Sequence, residues 1–286
     1  MYPEARPPVI IVGMHRSGTS MVIRMLEALG LFVGERKDPN HEALFFQRIN
    51  EWLLRQSGGT WDYPKGFHYL LENREVRVLA ADYIRYLMKT PRVISFLGWR
   101  KYLRYHVPSN LDIPWGWKDP RNTYTLPLWL DLFPDAKIIH IYRHGVDVAN
   151  SLKTRNDMVF AREKILYEKR KPFYFFIPKS GGFTDTIRCS SLEGGFSLWE
   201  EYLNEAKVNM HNIKCRAMQI KYEDFLAKPY EILKSLMSFC DITASDTDIS
   251  EVIRQVKKDR AFAYRSNPEL KAFADRVAER LRVFEY

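Results

Sequence analysis

The chain's clearest chemistry lies near its start, where Gly13-Met14-His15-Arg16-Ser17-Gly18-Thr19-Ser20 follows the apolar run Val9 to Val12. Two glycines at this spacing, between a strand-like run and a helical pattern, let backbone N–H groups and a helix amino terminus converge on an anion, above all a phosphate. A nucleoside triphosphatase would carry Lys after the second glycine, but Thr19 stands there. The cation has moved to Arg16, inside the loop. A planar guanidinium at that place would stabilise negative charge departing on the oxygen between a 5′-phosphate and a group being transferred. Gly13, His15, Arg16, Ser17, Gly18, Thr19 and Ser20 form the first candidate binding set.

A second set stands at Arg143 and Ser151. Arg143 follows the apolar run Lys137 to Tyr142, and Ser151 lies eight residues on, inside the next helical pattern. An Arg fork and a Ser hydroxyl suit one terminal phosphomonoester. The magnesium-binding strand of a triphosphatase would end in Asp, whereas this one ends in Arg, so a phosphate site without a metal is expected.

These residues need a scaffold that gathers strand ends and helix starts. Val9 to Val12, the loop, and Met21, Met25, Leu26 and Leu29 at helical spacing, closed by Gly30 as a cap, read as strand, loop and helix. Asp38-Pro39-Asn40 leads into a second helix over roughly 41–56, with Leu44, Phe45, Ile49 and Trp52 on one side and its amino end toward the loop. Residues 72–106 read as charged outer helices without chemistry. Trp115 to Trp117, Lys137 to Tyr142 and Met218 to Lys221 are further strands, with helix over Phe196 to Met210 and through most of the chain after Tyr222. Successive strand-loop-helix units predict an α/β fold with ligands at the carboxyl ends of its strands. From Arg155 to Glu193 the helical pattern after Ser151 gives way to basic and aromatic residues and a Gly181-Gly182 pair, which predicts an inserted lid.

Gly13 to Ser20 resembles the 5′-phosphosulfate-binding loop of sulfotransferases that use 3′-phosphoadenosine 5′-phosphosulfate (PAPS), with Arg16 where that family keeps a catalytic Lys or, in several branches, Arg. Tyr142 to Leu152 resembles the family's 3′-phosphate motif without a gap. Lys221-Tyr222-Glu223-Asp224-Phe225, with Pro229 after it, resembles a landmark whose Tyr, here Tyr222, lies near the adenine. Trp117-Lys118-Asp119-Pro120-Arg121 resembles a strand end that approaches the acceptor in many bacterial members, where Lys118 would bind sulfate oxygens or merely a surface carboxylate. Asn40-His41-Glu42 leading into Asn50, Gly58 to Trp61, and the terminal Phe284-Glu285-Tyr286 resemble bacterial carbohydrate and small-molecule members. The likeness spans Val9 to Tyr286 outside the insertion. It lacks the Gly-rich, Lys-bearing carboxy-terminal segment of the cytosolic hormone and phenol enzymes, which leaves Arg265 or a lid Lys as further partners for the 3′-phosphate.

The resemblance implies a three-layer sandwich like that of P-loop nucleoside triphosphatases, with a central mainly parallel sheet, as one domain over 1–286 carrying an acceptor lid at 155–193. It implies sulfuryl transfer from PAPS to a hydroxyl or amine, a carbohydrate or small molecule, with Arg16 on the leaving oxygen. His15, His41 and Glu42 are candidate bases. Glu42 is preferred, by likeness to the tyrosylprotein-type branch, although it also suits a favourable charge in the first turn of a helix.

The excess of Lys and Arg (44) over Asp and Glu (35), a net charge of +9, suits nucleic acid, an anionic membrane or a phosphate-rich small molecule. The cations are dispersed and no helix-turn-helix or zinc spacing is present, so nucleic acid is not an expected partner. Cys189, Cys215 and Cys240 have no C-x-x-C spacing, which speaks against a disulfide framework and for a reducing compartment. No apolar run approaches the roughly 18 residues of a membrane span, and the start lacks an apolar signal core, so a cytoplasmic protein is expected. Two rivals are a P-loop kinase or other phosphotransferase, disfavoured by Thr19 and the missing strand-end Asp, and a non-catalytic nucleotide-binding protein.

Overall fold

The computed structural model describes residues 5–211, 213, 216–254, 256 and 260–286. Cys215, one of the three cysteines, lies outside the described residues. In chain order the regular elements begin β1 (Val9–Val12), α1 (Thr19–Ala28), α2 (Leu44–Gln56), α3 (Phe67–Glu72), α4 (Arg74–Lys89), α5 (Ile94–Tyr105), β2 (Gly116–Lys118), α6 (Asn122–Leu132) and β3 (Lys137–Tyr142). They continue with α7 (Gly145–Arg170), α8 (Leu192–His211), β4 (Ala217–Lys221), α9 (Tyr222–Ala227), α10 (Pro229–Phe239), α11 (Asp246–Ile253), α12 (Pro268–Arg276) and α13 (Ala278–Arg282). By packing the chain forms two compact units, Met1–Arg143 with Tyr202–Ala261, and His144–Glu201 with Phe262–Tyr286.

The first unit holds the sheet, four parallel strands in the order β2-β1-β3-β4. β1 is all β-branched and fully buried, which is how a central parallel strand covered on both faces reads. Val9, Ile11, Ile139, Ile141 and Ile220 share one core cluster with Val22 and Leu26 of α1 and Leu233 and Leu236 of α10. Each such side chain, once buried, contributes about 1.5–3 kcal/mol. β1 also packs against α6, which takes no part in that cluster, so helices cover both faces. Because the strands are parallel, their carboxyl ends leave at one edge. Val12 runs into the glycine loop, Lys118 into Asp119, Tyr142 into Arg143, and Lys221 into Tyr222.

The elements differ from their expected bounds for physical reasons. α2 begins at Leu44 with Ala43 as its cap, so Glu42 precedes the helix and is not a charge in its first turn. Its most buried side carries Phe46, Asn50 and Leu53, while Leu44 and Trp52 are half-buried. Gly30, at φ 112° just past the end of α1, closes that helix as expected.

In the second unit α7 continues to Arg170, far past Ser151, so the first part of the expected insertion is regular helix. Its outer turns have no apolar period because they are solvated on most sides, and good helix formers with ion pairs such as Lys153 to Asp157 sustain them. The same unit packs Gly145 beneath Phe196 and Trp199, a Cβ there approaching both rings to 2.7 Å. Asp147 carboxylate oxygens accept the Ala263 and Tyr264 N–H groups at 3.1 and 2.8 Å. Among the described residues no helix is long and apolar enough to cross a membrane.

Candidate active site

The glycine loop is built by backbone conformation. Gly13 (φ 140°), Arg16 (φ 70°) and Gly18 (φ 95°) all take positive φ. A Cβ on Gly13 would stand 2.2 Å from the Ile141 carbonyl oxygen, and one on Gly18 2.3 Å from the Tyr222 ring, so glycine is required at both. Arg16 holds its left-handed conformation despite a side chain, at a cost of about 1–3 kcal/mol of the kind concentrated at functional turns. The guanidinium-bearing residue is exposed, while Ser17 and Thr19 are buried and His15 and Ser20 half-buried.

α1 starts at Thr19 with no side-chain cap and no acid in its first turn, which leaves its positive end for an anion. Ser17 is fully buried, and its hydroxyl has no hydrogen-bond partner among the described residues. Leaving such a group unsatisfied costs about 1–3 kcal/mol, and a phosphate or sulfate oxygen in the loop would remove that cost. The residues present therefore fit an oxyanion.

Two flanking segments are tied to this loop. The Gly13 N–H donates to Thr123 Oγ1 at 3.1 Å, which fixes the loop to the start of α6. Ser20 Oγ donates to the Asn40 carbonyl at 2.8 Å, and Arg24 to that of Pro39 at 2.8 Å. Those two segments bring Glu42 and Lys118 together. Lys118 Nζ donates to Glu42 Oε1 at 3.1 Å, and Arg121 and Gln47 both donate to Oε2 at 3.0 Å. Glu42 is 3% and Lys118 1% exposed, so the carboxylate that Lys118 meets is a buried one rather than a surface one. Burial, and then the charge of Asp119, raise the Glu42 carboxyl above its ordinary range, against the pull of Lys118 and Arg121.

Arg121 closes the cluster, donating to Asp119 Oδ1 at 3.0 Å and to Glu51 Oε1 at 3.0 Å. Burial opposes its charge, but Asp119, Glu42 and Glu51 outweigh that and hold it more firmly protonated than usual. Beneath it, Asn50 donates to Asp119 (2.9 Å) and Asn122 (2.8 Å) and accepts from Thr125 and Trp129. Phe46 stacks on Trp117 at 3.9 Å, and Asn50, Asn122, Thr125 and Trp129 are fully buried, where a low dielectric strengthens the bonds between them.

The remaining candidates separate. His15 packs its ring 4.7 Å from that of Trp61, whose carbonyl accepts the Tyr202 hydroxyl at 2.7 Å. His41 pairs with Glu27, which Lys37 also contacts. Arg143 donates to the Arg260 carbonyl at 2.9 Å and lies over the Tyr222 ring at 4.8 Å. Tyr222, 6% exposed, thus touches both the loop glycine and Arg143. Ser151 and Arg265 belong to the second unit, Ser151 half-buried on α7 and Arg265 lining a cleft of about 380 Å³ with Lys271 and Arg282.

Sequence reasoning gave no place to Thr123, and it named Asn50 and Arg121 only within segments that resemble the family, without their parts in holding Asp119 and Glu42.

A parallel sheet flanked by helices, with a glycine loop at the end of its first strand, is the architecture of the doubly wound α/β class. The sulfotransferase family profile matches residues 7–246, and the chain belongs to that family. A protein of Aquifex aeolicus (strain VF5) described as uncharacterized is 22% identical over 281 residues, covering 94% of this chain. The chain spans 30% of the length of that curated relative. Among solved structures, the sulfotransferase domain of the Synechococcus PCC 7002 olefin synthase is 17% identical, with a TM-score of 0.45 over 91% of this chain and 80% of that one. A sulfotransferase from Alicyclobacillus acidocaldarius is 18% identical, with a TM-score of 0.43 over 86% and 89%.

Proposed function

We propose that this chain transfers a sulfuryl group from PAPS to a hydroxyl or amine, on a carbohydrate or small molecule. The observation that carries the reading is the loop, with its uncapped helix start and its buried, unpartnered Ser17 hydroxyl, in a member of the sulfotransferase family. In this reading Gly13, His15, Arg16, Ser17, Gly18, Thr19 and Ser20 hold the 5′-phosphosulfate, and Arg143 takes the 3′-phosphate. Tyr222 keeps Arg143 and Gly18 in register beside the adenine. Ser151 is carried over from motif spacing alone.

The acceptor O–H gives its proton to Glu42 while the acceptor oxygen bonds to sulfur. The bond from sulfur to the bridging oxygen breaks, and its electron pair stays on the 5′-phosphate, where Arg16 and the loop amides meet the charge. Lys118, held by Glu42, neutralises the sulfuryl oxygens. The scheme calls on fixed cations rather than a metal.

Calorimetric titration tests the donor. Adenosine 3′,5′-bisphosphate should bind without magnesium, and Arg143→Ala should weaken it by about 2–3 kcal/mol more than it weakens adenosine 5′-phosphate. Tight binding of ATP with magnesium, and weak binding of the bisphosphate, would return the chain to the kinase reading.

A further inference from the structure

The second unit carries an exposed apolar tip, inside the 155–193 segment expected as an acceptor lid, to which none of the transfer steps above gives a role. It follows α7 in the run Lys169-Arg170-Lys171-Pro172-Phe173-Tyr174-Phe175-Phe176-Ile177-Pro178-Lys179. Phe173, Phe175, Phe176 and Ile177 are 68, 87, 80 and 71% exposed. A single exposed apolar residue is ordinary, but four within five positions make a contiguous patch of the kind that marks an interaction surface.

The tip is folded and anchored. Tyr174 stacks on Tyr167 of α7 at 5.8 Å, and Phe183 meets the same ring edge-on at 5.3 Å. Lys179 turns back to Glu163 (3.5 Å) and to the carbonyls of Gly181 and Gly182 (3.2 Å each). Tyr174 thus anchors the run while Phe173, Phe175 and Phe176 stay outward.

Charge decides the partner. Between residues 160 and 180 six cations stand against the two carboxylates Glu163 and Glu168. On α7 Met158, Arg162, Ile165 and Lys169 recur at helical spacing and all are exposed, so one face carries apolar and cationic side chains together down to the tip. Apolar side chains beside Lys and Arg match the two layers of an anionic bilayer surface, acyl chains below and negative headgroups above. An acidic protein would satisfy the cations but give the four apolar side chains no reason to cluster at an end.

We infer that the 173–177 tip and the cationic face of α7 dock this chain on an anionic membrane surface, with Phe175 and Phe176 entering the acyl boundary. The docking does not depend on the donor or on transfer, so it stands or fails separately from the proposed activity.

Co-sedimentation of the full chain with vesicles tests it. The chain should pellet with phosphatidylcholine vesicles carrying about 30% phosphatidylserine, release as salt rises, and stay in solution with pure phosphatidylcholine. The double substitution Phe175→Ser and Phe176→Ser should lower partitioning by about tenfold or more at an unchanged melting temperature, as removal of buried apolar area requires. Lys169→Glu with Lys171→Glu should abolish the preference for the anionic vesicles. No pelleting with the anionic vesicles, equal pelleting with both, or unaltered partitioning of the Phe variant overturns the inference. So does a concentration-dependent dimer that the Phe substitutions dissolve, since the patch would then be covered by a second copy.

Discussion

Arg16 combines two features that rarely coincide, a left-handed backbone and an exposed cationic side chain, in the glycine loop. If it acts on charge that appears only as the bridging bond breaks, its loss must fall on turnover more than on binding. Arg16→Ala should then lower kcat by about a hundredfold, with a smaller loss of bisphosphate affinity, and Arg16→Lys should keep part of the rate. Single-turnover transfer of labelled sulfate beside a direct titration measures both. A wild-type rate with weakened binding would make Arg16 only an anchor and move the catalytic cation to Lys118. Glu42 makes a different demand. A base must be deprotonated to act, and burial with Asp119 raises this carboxyl above its ordinary 4.5, so kcat/KM should rise along an acid limb centred above that value. Glu42→Gln should flatten the limb and cost about 10²–10⁴ in rate. Survival of the limb in that variant would hand the role to His15.

At the scale of elements, the loop works because β1, α1 and α9 leave it one shape. Gly18→Ala adds a Cβ at φ 95° against the Tyr222 ring, so the loop must open. Bisphosphate binding should be lost by calorimetry while circular dichroism stays native, and a variant that binds normally would show that the loop shape is not what holds the anion. The strands were legible because β-branched runs such as Val9 to Val12 are buried on both faces and read as short apolar runs bounded by glycine or charged residues. The loop was legible because glycine at fixed spacing has few other uses. The polar network was not. Asn50 and Thr123 act through partners 69 or more residues away, as in the Asn50 to Asp119 and Gly13 to Thr123 bonds, and no local pattern encodes such a meeting. α7 hid its length for the opposite reason, since a helix with little buried surface shows no apolar period.

For the whole molecule the net charge of +9 grows as carboxylates titrate, so acid must strain the fold, and a buried histidine adds its own demand. His140, in β3 with 3% exposure, is bonded only weakly to Gln219 at 3.4 Å, and burial pushes its imidazole down to about 4 from 6.5. A depressed folded value means that the unfolded chain binds the proton first. The neutral ring therefore contributes its full stability above 6.5 and loses it as pH falls toward 4. Glu42, raised when folded, works in the opposite sense, gaining stability as pH falls toward 4.5, so the two groups partly cancel in wild type and only a substitution separates them. His140→Gln keeps a polar partner for Gln219 and removes the titration. Urea unfolding from pH 7 to pH 4 should show wild type losing about 3 kcal/mol relative to this variant, the free energy of a shift of that size. Parallel pH profiles for the two proteins would mean that His140 is not the acid-sensitive group, and the carboxylates held below their ordinary range, such as Glu27 with Lys37 and His41 around it, would have to carry the acid transition.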